Sequence, residues 1–382
     1  MKYLCLLLLW LAGQTAAAQD SLPPAPKFTL NGYLKSMQSL SYPKNFEPLT
    51  ANNLIHNRLN MRWKPVGGLT FALELRNRIL WGDEVRAIPN YAEQLRNTNE
   101  SVNLSLVPVN TASLVMHLNT ERLWAEYKTE RWQLRLGRQR LNWGITTTWN
   151  PNDIFNTFNF LDFDYEERPG SDAARLQYNI SDFSNVEVAF APGSKQGQAV
   201  GAVKYFINKG GYDWQLIAGV YQNRLTLGGG WAGNIKNAGF KGEVQFFAAH
   251  RNPQAHVNVS LESNYVFANG WFISGGLLYN SEGISEIPTD LQQLNFNFSP
   301  LHLMPTRWNF LAGMGKEITP PLSANLSVLY APGPNLTLLL PSLRYNPATN
   351  LDVDIVWQSF FASLPAYEAL NHRAFMRFKW SF

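Results

Sequence analysis

Basic side chains recur at alternate positions along several segments of the sequence. Arg58 and Arg62 lie four residues apart, and Arg76 and Arg78 lie two residues apart, and the apolar residues Leu59, Met61 and Leu75 occupy positions next to them. Residues two or four apart in an extended strand project from the same face, so that face carries a row of positive charge. Such rows attract anionic solutes. The alternative is structural, because Arg and Glu on neighbouring strands also pair with each other.

The same pattern extends to both ends of the chain. We expect these basic residues to form one contiguous arc on strands that become neighbours when a sheet closes on itself. Acidic residues on the arc are few, chiefly Glu74 and Glu126. The predicted arc comprises Lys35, Arg58, Arg62, Arg76, Arg78, Arg122, Lys128, Arg135, Arg138, Arg140, Arg175, Arg373, Arg377 and Lys379.

Patterns typical of enzymes are weak in this sequence. The six histidines lack metal-ligand spacing, and the segment 228–233 matches G-x-G-x-x-G without the helix that a dinucleotide site needs. We expect those glycines to lie at a barrel curve or beside a loop packed in the lumen. The sequence therefore predicts no enzyme, no cofactor and no metal. A hydrolase that assembles Ser, His and Asp from neighbouring strands stays an alternative.

The N-terminus predicts export. Lys2, an apolar run from Tyr3 to Ala12 and the Ala16–Ala18 triplet have the form of a signal peptide, which we assign to residues 1–18. Residues 19–27 are expected to form a short periplasmic tail. The only cysteine is Cys5, so the mature chain has no thiol chemistry. The net charge of +4 is too small to predict a nucleic-acid partner.

Residues 28–382 show strand periodicity from end to end, which predicts one domain. Leu69, Phe71, Leu73 and Leu75, for example, alternate with polar residues. The predicted strands, 18 in number with 16 as the alternative, are 28–40, 54–64, 69–81, 120–129, 132–143, 172–181, 184–192, 197–207, 211–222, 224–234, 238–249, 256–268, 271–281, 306–316, 321–331, 335–346, 349–361 and 370–382. Charged residues make up 16%, compared with about 25% in soluble proteins.

The connections between these strands alternate between short and long. The short ones are 65–68, 130–131, 182–183, 208–210, 235–237, 269–270, 317–320 and 347–348. The long ones, 41–53, 82–119, 144–171, 282–305 and 362–369, all fall in the other set. Short periplasmic turns with long external loops are typical of outer-membrane barrels. We therefore predict an all-β fold, a single transmembrane antiparallel β-barrel in the outer membrane of a Gram-negative-type bacterium.

The last strand supports this architecture. Met376, Phe378, Trp380 and Phe382 share one face, and the chain ends on an aromatic residue. This ending is similar to the terminal-strand signal of outer-membrane barrels, which implies the barrel-assembly machinery as a partner. Aromatic residues at other predicted strand ends fit an interfacial girdle, with core packing as the alternative. They are Trp63, Trp132, Phe183, Tyr212, Trp271 and Trp380.

The most distinctive motif runs from Leu136 to Gly144. Strict alternation with Leu134 and Leu136 would turn Arg138 and Arg140 towards lipid, so we expect a bulge at Gly137 that turns both inward. The alternative is that the strand has already left the membrane. The G-R-Q-x-x-x-W-G pattern, followed by an Asn-Pro loop, resembles porin-like outer-membrane proteins, including those related to alginate-export channels. The resemblance implies a monomeric barrel of about 16 to 18 strands.

The third long loop, 144–171, is rich in aromatic and acidic residues. So many aromatic side chains are expected to pack against something. The third loop of general porins folds inward and narrows the pore, and the resemblance implies the same here, with the acids facing the basic arc. The alternatives are a loop over the barrel mouth or against a partner. The predicted constriction residues are Asp153, Phe155, Phe158, Phe160, Asp162, Asp164, Glu166 and Glu167.

Together these features predict an outer-membrane channel for passive diffusion of small hydrophilic solutes, of which anions and oligosaccharides are candidates. Its partners would be membrane lipid, the assembly machinery acting on the strand that ends at Phe382, and the solutes themselves. The first alternative is a non-transporting barrel that anchors surface glycan or assists assembly. The second is an outer-membrane hydrolase.

Overall fold

The computed structural model describes residues 26–44, 48–95, 100–157, 161, 168–250, 254–294, 296–364 and 366–382. The signal peptide and most of the tail therefore lie outside the described residues and stay predictions. The described chain is a closed antiparallel barrel. Its strands are β1 (Phe28–Pro43), β2 (Thr50–Trp63), β3 (Leu69–Gly82), β4 (Ser105–Asn110), β5 (Leu114–Lys128), β6 (Trp132–Gln139), β7 (Ser171–Ser181), β8 (Ser184–Ala191), β9 (Val200–Lys209), β10 (Tyr212–Tyr221), β11 (Arg224–Ile235), β12 (Ala238–Phe247), β13 (His256–Val266), β14 (Trp271–Asn280), β15 (Trp308–Thr319), β16 (Leu322–Ala331), β17 (Leu336–Ala348), β18 (Leu351–Ser363) and β19 (Tyr367–Ser381).

The ring closes between the first and last strands. β1 pairs with β2 from Phe28 opposite Trp63, and with β19 from Tyr33 opposite Ser381. Each strand of the ring pairs with two neighbours, and β3 pairs directly with β5, so 18 strands form the barrel and β4 lies outside the ring. Closure satisfies the backbone hydrogen bonds that a membrane interior cannot satisfy. The predicted single barrel of 18 strands is confirmed.

The outward face of the ring is apolar, as period-2 alternation requires. Cross-strand partners such as Met61 and Leu73, or Leu216 and Tyr205, share this face. Large aromatic side chains mark its short-turn end, where Trp63, Trp132 and Trp380 are about half exposed. They point away from the lumen, which fits an interfacial girdle rather than core packing.

The strand β4, which is not a member of the ring, pairs with the outer half of β5 where β6 does not reach. β6 ends at Gln139, four residues earlier than predicted, and so leaves the outer half of β5 without a partner on that side. β4 pairs with that half, with Ser105 opposite Asn119 and Asn110 opposite Val115. The early end of β6 is stabilised by the side-chain amide of Gln139, which donates to the carbonyl of Ala173 at 2.9 Å.

The predicted inward turn at Gly137 does not occur for Arg138. Gly137 has φ of 113°, but pairing continues through it without a register shift, and Arg138 lies opposite Leu123 and Asp172 on the outer face. Its guanidinium is 1% exposed and contacts Asp172 and Glu100, each at 2.9 Å. The segment before β4 thus covers the charge, which is why a bulge is not required.

Two short helices, α1 (Asp83–Ala87) and α2 (Tyr91–Gln94), lie in the connection from β3 to β4. Val85 and Ala92 pack against Val115 at the mouth of the barrel. A 3-10 turn, Leu291–Gln293, lies in the connection from β14 to β15. Across the described parts of the chain, no helix has the length and apolar character needed to span a membrane.

Replacing Arg138 with Ala is expected to destabilise the barrel by about 3–5 kcal/mol, because it leaves Asp172 and Glu100 buried without their counter-charge. The free energy of unfolding, measured by urea titration in lipid vesicles with tryptophan fluorescence, checks this. The matched control is Arg131→Ala in an exposed short turn, which should change stability by less than about 0.5 kcal/mol. Equal effects of the two substitutions would contradict the role given to Arg138.

Candidate functional site

The inner wall carries most of the predicted basic arc. The pairing register places Lys35 opposite His56 and Lys379, and Arg58 opposite Tyr33 and Arg76. Since directly opposed residues share a face, these side chains point into the lumen together. By the same register, the inner face also holds Arg62, Arg78, Arg122, Arg135, Arg175, Arg373 and Arg377. The exception is Arg138, which faces outward.

Many of these cations pair with acids on neighbouring strands. Arg58 lies 2.5 Å from Glu74, and Arg175 lies 2.9 Å from Glu187. Further ion pairs of the arc are Arg76 with Glu121 at 3.5 Å, Arg135 with Glu126, and Arg377 with Asp354 at 2.7 Å. Pairing between Arg and acidic residues of neighbouring strands, which was the structural alternative to anion attraction, therefore explains the basic residues in the middle of the wall.

Glu121 is a member of this network that sequence reasoning missed. The β3–β5 register shifts between Glu74 and Leu75, which leaves Glu121 as an extra residue in β5. The bulge lets its carboxylate reach Arg76 and accept from the amide of Asn119 at 3.0 Å. Strict alternation through β5 would turn Glu121 outward with Leu123, and only the register with β3 shows otherwise.

Lys35, Arg78 and Arg373 differ in exposure. Lys35 is fully buried, with its ammonium 5.4 Å from the centre of the Tyr33 ring. Arg78 donates to the carbonyl of Leu95 at 3.3 Å, so the loop that carries α1 and α2 covers it. Arg373 is exposed. The arc is therefore not uniformly open to solute.

The open part of the arc surrounds a cavity at the short-turn end of the barrel. Its volume is about 1020 Å³, and its lining includes seven basic and two acidic side chains. We call this cavity the vestibule. Its charged residues are Lys27, Arg62, Lys64, Arg122, Lys128, Arg135 and Arg140, with Glu74 and Glu126. The indole of Trp124 also lines it, 4.2 Å from the guanidinium of Arg135.

The third long loop begins where β6 ends, and its described part lies inside the barrel. Glu243 of β12, which is 0% exposed, holds it. This carboxylate accepts from the backbone N–H groups of Ile145, Thr146 and Asn152, and from the Thr146 hydroxyl. The backbone nitrogen of Thr146 lies 2.6 Å from one carboxylate oxygen of Glu243, and that of Asn152 lies 2.8 Å from the other. Charge-assisted bonds of this kind are about twice as strong as neutral ones.

A second carboxylate extends the attachment to β13. Glu262 accepts from the N–H groups of Thr147 at 2.6 Å and Thr148 at 2.7 Å. We call Glu243 and Glu262 the loop anchor. Both lie across the lumen from β6, so the loop spans the interior from one wall to the other.

The glycines of the G-x-G-x-x-G segment make room for this loop. A Cβ atom on Gly228 would lie 2.8 Å from the side-chain oxygen of Asn152, and one on Gly230 would lie 3.1 Å from Ile145. Asn152 also donates to the carbonyl of Gly229 at 2.9 Å. The segment lies in β11 and is followed by β12, without the helix of a dinucleotide site. Close packing against a luminal loop explains the glycines.

The described residues of the loop are packed rather than open. Trp143 and Phe155 meet edge to face at 5.0 Å within one apolar cluster, and Trp149 is buried in another. Asp153 pairs with Arg168 of the same loop at 2.7 Å and also interacts electrostatically with Arg140 of the predicted arc. Burial raises the pKa of the Asp153 carboxyl above its usual range, and the Arg168 guanidinium opposes that rise. Phe158, Phe160, Asp162, Asp164, Glu166 and Glu167 lie outside the described residues.

A second long loop, between β14 and β15, packs inside as well. Asn258 donates to the carbonyl of Pro300 and Asn280 to the carbonyl of Met304, at 2.9 and 2.7 Å. Trp149 of the third loop shares an apolar cluster with Met304 and with Leu329 of the wall. The outer half of the lumen thus contains apolar packing from both loops, and the sequence predicted inward packing only for the third long loop.

The serine–histidine contact at the start of β13 lacks the order of a catalytic triad. Ser281 Oγ lies 3.3 Å from Nδ1 of His256, and Glu282 lies 3.6 Å from the same nitrogen. A triad needs the serine and the carboxylate on opposite ring nitrogens. Ser359 lies 2.8 Å from Nδ1 of His372.

This combination of a closed 18-strand ring and an inward third loop is a porin-like β-barrel. No protein-family model and no curated protein matches the sequence. Solved structures do match in fold. OccAB3 of Acinetobacter baumannii has a TM-score of 0.62 at 11% identity, covering 93% of this chain and 99% of that one. OccAB4 of the same organism has a TM-score of 0.61 at 10% identity, covering 94% of this chain and 99% of that one. The outer membrane protein OprD from Pseudomonas aeruginosa has a TM-score of 0.60 at 7% identity, covering 93% of each chain.

These neighbours support the porin-like part of the sequence resemblance. They do not include alginate-export channels, so that closer relation stays a prediction. At such low identity the likeness extends to the fold alone.

Replacing Glu243 with Ala is expected to undock the third loop. Three backbone donors and one hydroxyl lose their acceptor, and each buried unsatisfied donor costs about 1–3 kcal/mol. Hydrogen exchange of residues 145–152 should accelerate by about tenfold or more. Glu317→Ala, at an exposed strand end, is the control and should leave exchange unchanged. Unaltered protection in the Glu243 variant would show that the loop is held by other contacts.

Proposed function

We propose that this protein is a passive diffusion channel of the outer membrane for small, hydrophilic, anionic solutes. The vestibule carries the proposal, because seven basic side chains and only two acidic ones line its 1020 Å³. In such a confined space, cationic groups raise the local concentration of anions. The protein would reach the membrane after removal of residues 1–18, with the strand that ends at Phe382 presented to the assembly machinery.

The basic residues would divide into two roles. Those paired with acids, such as Arg58 and Arg175, stiffen the wall. Those at the vestibule, such as Arg62 and Arg140, are exposed and meet the solute. The third loop, fixed by the loop anchor, would narrow the path between the vestibule and the outer mouth. Catalysis is not part of this proposal.

Oligosaccharides are a less supported substrate class than small anions. Stacking on sugar rings needs an exposed aromatic face, whereas Trp143, Trp149 and Phe155 of the loop are buried. Trp124 lines the vestibule, but Arg135 lies over its ring. We therefore propose compact anions as the principal solutes.

A second candidate function is a non-transporting barrel, for example a surface-glycan anchor or an assembly factor. The observation that favours it is the apolar packing in the outer lumen, where Trp149, Leu303 and Met304 are buried together. A barrel of this kind would be plugged and would not conduct.

Wild-type protein in planar bilayers is expected to conduct and to be anion-selective under a KCl gradient. The double variant Arg62→Glu, Arg140→Glu should reduce the chloride-to-potassium permeability ratio by about twofold or more, because it reverses two charges of the vestibule. The reversal potential is the measurement.

The control for this experiment is Lys195→Glu, an equal charge reversal on an exposed outer loop. It should shift the reversal potential much less than the vestibule variant. Cation selectivity of the wild type would contradict the proposed anionic solutes. Absence of conductance from correctly folded protein would favour the plugged, non-transporting barrel.

A further inference from the structure

The cations that line the vestibule lie at successive depths along the wall. Lys27, Lys64 and Lys128 are exposed beside the short turns, and the N–H of Lys64 donates to the carbonyl of Lys27 at 2.7 Å. Arg62 lies two residues before Lys64, and therefore on the same face about 7 Å deeper along β2. Arg122 lies six residues before Lys128, on the order of 20 Å along β5. The positive charge thus extends along the wall instead of lying at one level.

Both acids of the vestibule are already engaged by arginine. Glu74 lies 2.5 Å from Arg58, which is buried in the wall. Glu126 pairs with Arg135 and accepts from the side-chain amide of Gln133 at 2.5 Å. Seven basic against two acidic side chains leave a surplus of five positive charges on the lining. Because the wall itself holds the two carboxylates, anions from solution have to balance the remaining charge.

A surplus of this size favours anions that carry several charges each. Chloride ions would have to be confined one by one to balance it, and each of them loses translational freedom. A multivalent anion balances the same charge with one molecule and releases the monovalent ions that it replaces. Cationic groups in a confined cleft already concentrate anions, so the gain in binding increases with the valence of the anion.

The donors also reach the cavity from different parts of the wall. Lys27 precedes β1, Arg62 lies on β2, Lys128 lies on β5 and Arg140 follows β6. A carboxylate accepts hydrogen bonds near its own plane, whereas the tetrahedral oxygens of a phosphate accept from all sides and suit both Arg and Lys. A chain of linked phosphates can therefore contact lysines and arginines of several strands at once.

We propose that the vestibule is a binding site for short condensed phosphates, with the phosphate chain running inward from Lys64 and Lys128 to Arg62. This inference rests on the proposed function, because it names the class of anion that the same cavity takes. The volume of 1020 Å³ equals that of roughly thirty water molecules in the liquid, so a triphosphate fits with part of its hydration. Compact carboxylates of similar charge are the rival class.

Isothermal titration calorimetry of the detergent-solubilised barrel, at about pH 8 and fixed ionic strength, tests this site with orthophosphate, pyrophosphate, tripolyphosphate and citrate. The affinity is expected to rise by about fivefold or more from orthophosphate to tripolyphosphate, because the longer anion releases more counterions. Citrate should bind about fivefold more weakly than tripolyphosphate, because its carboxylates accept only near their planes. Equal affinities for orthophosphate and tripolyphosphate, or for citrate and tripolyphosphate, would overturn the proposal.

Exposed lysines can be replaced without disturbing the barrel wall. The double variant Lys64→Gln, Lys128→Gln should weaken tripolyphosphate binding by about fivefold or more, with a smaller effect on orthophosphate, because it removes two charges at the rim. The matched control is Lys209→Gln, Lys236→Gln, since both of these lysines are exposed at other short turns, and it should leave binding unchanged. Equal losses in the two double variants would assign the binding to general surface charge and overturn the site.

Calorimetry also separates this inference from the channel itself. A preference for condensed phosphates in a barrel that does not conduct would support the binding site and refute the proposed channel. Anion-selective conductance without that preference would refute the binding site alone.

Discussion

The interior of this barrel depends on two buried carboxylates of the wall. Glu243 and Glu262 lie on neighbouring strands and accept from five backbone N–H groups of the third long loop. A desolvated carboxylate is costly unless several donors surround it, and loop amides in a dry interior are costly unless they find acceptors. Each group thus satisfies the other. Because of this exchange, the loop becomes a fixed part of the barrel interior.

Other features follow from the position of that loop. β6 must end early to release it, so the outer half of β5 acquires β4 as a substitute partner. The exit point leaves Arg138 on the outer face, where Asp172 and Glu100 neutralise it. Inside, the loop brings Trp143 and Trp149 into two apolar clusters that also contain wall residues. The part of the lumen that these clusters leave open lies next to the basic arc.

Much of the fold was predictable from the sequence because each strand of a barrel follows the same alternation of outward apolar and inward polar residues. Alternation and connection lengths gave the 18 strands of the ring, mostly to within a few residues. β4 was missed because it is short, contains Pro108 and lies within a long connection. Arg138 was misplaced because a bulge at Gly137 was expected to turn its charge inward, whereas β6 keeps its alternation and Glu100 and Asp172 neutralise the charge. Glu121 was not singled out, because the bulge that brings it into the ion-pair network follows from the register with β3.

The candidate site was predictable only in part. Alternation alone predicts that residues of the arc such as Arg58 and Arg62 lie on the inner face of the wall. The ion pairs that neutralise much of the arc join different strands, and the loop anchor joins residues almost one hundred positions apart, such as Thr146 and Glu243. No local pattern contains that information. Gly228 and Gly230 were the sequence feature that indicated a loop packed against the wall, because their lack of a side chain allows the loop to approach.

We propose that the loop anchor, Glu243 and Glu262, sets the width of the solute path. Single-channel conductance in planar bilayers, compared between wild type and the double variant Glu243→Ala, Glu262→Ala, tests it most directly. Release of the loop from β12 and β13 should widen the path, so we expect a conductance severalfold larger than that of the wild type, with frequent fluctuations as the loop moves. An unchanged, steady conductance in a correctly folded variant would contradict the claim.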